Sequence, residues 1–146
     1  MRTIRPYVFE TASSSVHSLV FSDVGLEPNR LPMSHDGYIE VSFGSFGKRN
    51  QTFWDQYSKL SYLITQCYYL GGWEKDMDNN HHFKNVEEAV CAYTGAKGIR
   101  IVDDFEPDID HQMQPEYELN LVNEWDSDSI VNFVFNQYVG LHTDCD

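Results

Sequence analysis

The side chains of this sequence best able to do chemistry are its carboxylates, which crowd into one stretch. Asp103, Asp104, Glu106, Asp108 and Asp110 fall within eight residues, Glu116 and Glu118 follow, and Glu124 and Asp126 flank Trp125 just before Asp128. In extended backbone each residue advances ~3.3 Å, so carboxylates two positions apart stand roughly 6–7 Å apart on one side of the chain. A row of that kind presents negative charge at intervals comparable to neighbouring phosphates of a nucleic-acid strand. It can therefore engage Lys and Arg groups that are built to hold a polyanion.

A second constellation has the spacing of a cation loop. Asp76, Asp78, Asn80 and Glu87 match positions 1, 3, 5 and 12 of the calcium-binding helix–loop–helix pattern, and Phe83 is apolar at position 8. Position 6 of that pattern takes glycine for a sharp turn, and here it is His81. The better reading is a polar turn with a capped helix behind it. The histidines and cysteines (His81, His82, His111, His142, Cys145) match neither CxxC nor HExxH spacing, so no zinc site is expected. Thr11-Ala12-Ser13-Ser14-Ser15 is turn chemistry without the glycines of a nucleophile elbow. Gly44-Ser45-Phe46-Gly47-Lys48 is too short for a phosphate loop. No cofactor and no catalytic residue is predicted.

The distribution of charge is more telling than its total. The net charge is −13 over 146 residues. Residues 1–73 hold six basic and six acidic side chains and are neutral, whereas residues 74–146 hold four basic and seventeen acidic ones and carry the whole −13. After Arg100 there is no Lys or Arg, while twelve Asp or Glu follow. A solubilising surface mixes signs, because like charges gathered together oppose folding. Segregation of this degree predicts a basic partner. Direct nucleic-acid binding is disfavoured, since Lys48-Arg49 is the longest basic run.

The elements that must carry these groups follow from periodicity. With 41% apolar and 14% aromatic residues the chain can bury a core despite its charge. Thr3–Glu10, Val16–Ser22, Tyr38–Phe43, Gly98–Asp103 and Tyr117–Leu121 read as strands, Pro6 holding the first to an edge. A helix is predicted from about Thr52 to Leu70, with Phe53, Tyr57, Leu60, Ile64 and Cys67 as its apolar stripe. A second is predicted over Val86–Thr94 with Asn85 as N-cap and Gly95 beyond its end. Ile130, Phe133, Val134 and Tyr138 fall at helical spacing, though their β-branched neighbours leave a strand open there.

The expected fold is one α+β domain over residues 1–146, with a mixed or antiparallel sheet of about five strands and two or three helices. No run approaches a membrane span, MRTIRPYVFE lacks the apolar core of a secretory leader, and the three cysteines are unpaired in pattern. A cytoplasmic location is expected, in a cell or in a phage-infected host. The profile predicts a non-enzymatic inhibitor that mimics nucleic acid or serves an anti-defence or immunity role. Its partner would be a basic protein such as a nuclease, bound through the carboxylates from Asp103 to Asp128 with Trp125 as an apolar anchor. The alternative is an Mg²⁺- or Ca²⁺-dependent hydrolase holding its metal on a DxD pair (Asp76/Asp78, Asp108/Asp110 or Asp126/Asp128), or a calcium-binding domain using Asp76, Asp78, Asn80 and Glu87. The aromatic content also makes a homodimer plausible.

Overall fold

The computed structural model describes residues 24–70, 77–102 and 127–143 in full, and residues 4–6 and 108–109 as backbone. The elements are β1 (Ile4–Pro6), β2 (Tyr38–Ser42), β3 (Ser45–Phe46), β4 (Gln51–Phe53), α1 (Gln56–Leu70), α2 (His81–Thr94), β5 (Gly98–Val102), β6 (Asp108–Ile109), α3 (Ser127–Phe135) and β7 (Leu141–Thr143). A short 3₁₀ turn, Met77–Asn79, precedes α2.

The fold is mixed α+β, as composition and periodicity predict. Its described strands do not form one sheet of about five. They divide into a three-stranded antiparallel sheet, β1-β7-β4, and two parallel pairs, β2-β5 and β3-β6. The strands predicted at Val16–Ser22 and Tyr117–Leu121 lie outside the described residues.

The three helices pack on one another, α1 on β2 and α2 on β5 as well, and the core lies between them. Leu60, Tyr62, Leu63, Ile64 and Cys67 of α1 meet Val86, Ala89 and Val90 of α2 and Ile130, Phe133 and Val134 of α3. From the sheet side Ile39, Val41 and Ile99 complete the core. Helix α1 is buried around most of its circumference, which a single apolar stripe does not foretell. Ser61 and Thr65 face inward because their hydroxyls bond nearby carbonyls, those of Ser42 and of Ser61 itself.

Both long helices start at places the sequence reading missed. Thr52 belongs to β4, opposite His142 of β7, so the cap of α1 is Asp55, whose carboxylate accepts from the Ser58 N–H at 2.9 Å. Helix α2 begins at His81, five residues before the predicted Val86, with Asn80 as its N-cap. The Asn80 side chain accepts from the Phe83 N–H at 3.0 Å, and its amide donates to the Cys67 carbonyl at 2.7 Å, tying α2 to the end of α1. Gly95 ends the helix in the left-handed region, φ 82°, with its N–H bonded to the Cys91 carbonyl. Replacing Asn80 with alanine removes a cap and the buried bond that ties α2 to the Cys67 carbonyl. Chemical denaturation is expected to register a loss of about 1–3 kcal/mol, where an ordinary surface substitution changes little.

Candidate functional site

Of the predicted partner-binding residues, Asp103, Asp104, Glu106, Asp110, Glu116, Glu118, Glu124, Trp125 and Asp126 lie outside the described residues. Asp108 opens β6 and pairs in register with Ser45 of β3. Asp128 lies in the first turn of α3, exposed, where a carboxylate is favoured by the helix's N-terminal partial charge.

Arg30, Lys59 and Arg100 are engaged with described residues outside the predicted tract. Arg100 reaches across the exposed face of β2-β5 to Asp36 at 3.1 Å and Glu40 at 3.5 Å, with its guanidinium over the Tyr38 ring at 4.4 Å. The Ser34 hydroxyl, and then Arg100, hold the Asp36 carboxyl below its ordinary range. Arg30 pairs with Glu27 at 3.6 Å. None of these three ion pairs between described residues involves a carboxylate from the C-terminal half.

Lys59 has no exposed surface at all. Its Nζ donates to the carbonyls of Asn136, at 3.0 Å, and Val139, at 2.7 Å. Burial pushes its pKa down to about 8, while the carboxylates of Asp55 and Glu27 act in the opposite direction. An ammonium inside the fold is costly unless hydrogen-bonded. Here it fixes the turn that joins α3 to β7.

That turn is bonded on every side. The Asn136 amide donates to the Val24 carbonyl and to Asn132 Oδ1, and its Oδ1 accepts from the Tyr138 N–H. Gln137 N–H bonds the Gly25 carbonyl, and Glu27 N–H bonds the Phe135 carbonyl. Beside it lies a cleft of about 470 Å³ lined by Glu27, Arg30, Trp54, Asp55, Lys59 and Gln137.

The cation-loop residues do not assemble as their spacing suggests. Helix α2 starts at the sixth position of the pattern, so the segment from Asp76 to Glu87 is not a twelve-residue loop. Asn80 is occupied as a cap, and Glu87 Oε2 accepts from the Ile99 N–H at 2.9 Å, fixing the start of β5. Asp78 is exposed in the 3₁₀ turn, and Asp76 lies outside the described residues. Among the described residues no group of three or more His, Cys, Asp or Glu is arranged to hold a metal ion. Burial raises the thiol pKa of Cys67, and also that of Cys91, where Glu87 adds to the effect. Neither therefore offers a thiolate at neutral pH.

The described part is thus an α+β scaffold in which the turn after α3 is held by the buried Lys59 and by Asn136. Comparison with protein-family profiles, with characterised proteins and with solved structures finds no match for the chain. No helix among the described residues is long and apolar enough to cross a membrane.

Proposed function

We propose that this protein is a small acidic binding protein that occupies the cationic groove of a basic partner, a nuclease or another enzyme that handles nucleic acid, and inhibits it. The observation that carries this reading is the segregation of charge: a neutral half followed by one of net −13, with no Lys or Arg after Arg100. The carboxylates of Asp103, Asp104, Glu106, Asp108, Asp110, Glu116, Glu118, Glu124, Asp126 and Asp128 pair with Lys and Arg of the partner, and Trp125 is buried on contact. Long-range attraction speeds the encounter, and salt weakens it. The ion pairs of Arg30 and Arg100 are consistent with this, because both arginines neutralise carboxylates outside the tract.

A calcium loop over Asp76–Glu87 has less support, since Asn80 Oδ1 and Glu87 Oε2 each accept from a backbone N–H. The test is capture from a lysate of the native source, using the wild type and a variant with Asp103, Asp104, Asp108 and Asp110 changed to Asn or Ser. The reading predicts that the wild type retains a protein of high isoelectric point, released by moderate salt, and that the variant retains none. Equal capture by the two proteins contradicts it.

A further inference from the structure

Four of the five large hydrophobic side chains exposed among the described residues gather around one feature. Val24 (61% exposed), Trp54 (49%), Tyr93 (36%) and Tyr138 (59%) all meet the segments 24–27 or 135–140, and Met33 alone lies apart. The Val24 carbonyl accepts from Asn136, the Tyr93 hydroxyl bonds the Glu27 carbonyl at 2.7 Å, and the Tyr93 ring lies 4.4 Å from that of Phe135. Tyr138 covers Gly25, and Trp54 covers Gly140.

The chain is shaped to hold those last two rings in place. Gly25 has φ 88°, and a Cβ there would collide with Asn136 Oδ1 and stand 2.7 Å from the Tyr138 ring. A Cβ at Gly140 would stand 2.8 Å from the Trp54 ring. Beneath the turn sits the buried Lys59 ammonium. Two glycines, a buried lysine and the multiply bonded Asn136 thus hold a turn whose flanking rings remain about half in solvent. Rigid, half-exposed Trp and Tyr clustered on one patch mark an interaction surface, because they bring large contact area with little loss of rotamer freedom.

We infer that this patch is the apolar anchor of the interface and receives arginine side chains of the basic partner. The inference rests on the acidic-binder reading above. Charge selects the occupant: a chain of net −13 draws in cationic surfaces, and arginine is the cation that stacks on Trp and Tyr. Arg30 already pairs with Glu27 and the Asp55 carboxylate caps α1, so the rings rather than these carboxylates receive the incoming guanidinium. Helix α3 spans about 13 Å from the turn bearing Asp128 to this turn, so one partner face of ordinary size can reach both Asp128 and the rings.

The test titrates nona-arginine and nona-lysine peptides into isotope-labelled protein at matched low salt. In the wild type nona-arginine is expected to bind more tightly, with movement of the Trp54 indole N–H resonance. Trp54→Ala with Tyr138→Ser is expected to weaken nona-arginine about fivefold or more, the size of two exposed cation–π contacts, and to leave nona-lysine nearly unchanged. If the double variant loses its fold, Tyr138→Ser alone gives the reading, since most of that side chain already faces solvent. Equal affinities for the two peptides, unmoved by the substitutions, overturn the anchor while leaving the acidic-binder reading standing. Failure of either peptide to bind the wild type at low salt removes both.

Discussion

The stability gap between the wild-type protein and Lys59→Met widens as pH rises, by about 3 kcal/mol between neutrality and pH 10.5. Burial lowers the Lys59 pKa from 10.5 to about 8. Across that window the unfolded lysine holds a proton that the folded one has released, so wild-type stability climbs with pH and the gain is complete above the unfolded value. Below about pH 8 the cost of the buried charge is fully present. Deprotonation does not break the site, because a neutral amine keeps two N–H donors for the carbonyls of Asn136 and Val139. Methionine fills similar space but donates nothing and does not titrate; the Asn136 carbonyl keeps the Val139 N–H at 3.1 Å, while the Val139 carbonyl loses the lysine donor at a cost of about 1–3 kcal/mol. Denaturant titration of both proteins at neutral and alkaline pH measures the gap, and tyrosine ionisation largely cancels in the difference. A gap that stays constant contradicts a buried, titrating Lys59.

Neutralising Asp103, Asp104, Asp108 and Asp110 is expected to lower affinity for the proposed basic partner by about a hundredfold or more at low salt. Each carboxylate facing a cation across a partly dehydrated interface contributes on the order of 1 kcal/mol, and four of them act together. The difference between wild type and variant shrinks as salt is added, because screening removes the term the substitutions delete. Stability does not fall. Net charge moves from −13 to −9, which relieves self-repulsion in the folded state. Calorimetric titration against the purified partner, alongside a thermal melt of each protein, separates lost binding from lost fold.

Several elements are legible in the residues alone. The stripe Leu60, Ile64 and Cys67 marks α1, Ile99 and Ile101 mark β5, and Gly95 marks the end of α2. The helix at Ile130–Val134 prevails over the strand that its β-branched residues allow, because it buries Ile130, Phe133 and Val134 against α1 and α2. What stays hidden depends on distant partners. Thr52 and Phe53 read as the start of a helix and lie in a strand instead, where they pair with His142 and Leu141. Asn80 and Asn85 are equally good caps locally, and Asn80 prevails because the Cys67 carbonyl lies within its reach.

The candidate site divides in the same way. Charge segregation needs no structure to be seen. The anchor patch does need it, because neither the half-exposure of Trp54 and Tyr138 nor their packing over Gly140 and Gly25 is visible in the residues alone. Lys59, one position from the stripe residue Leu60, gives no local sign that it points inward to a turn nearly eighty residues away.

The most direct test of electrostatic recognition is the dissociation constant of the captured partner measured across a series of monovalent salt concentrations at fixed pH. A steep, linear rise of log Kd with log salt, made shallower by the four-aspartate substitution, is the predicted result. A dissociation constant that does not change with salt contradicts the account.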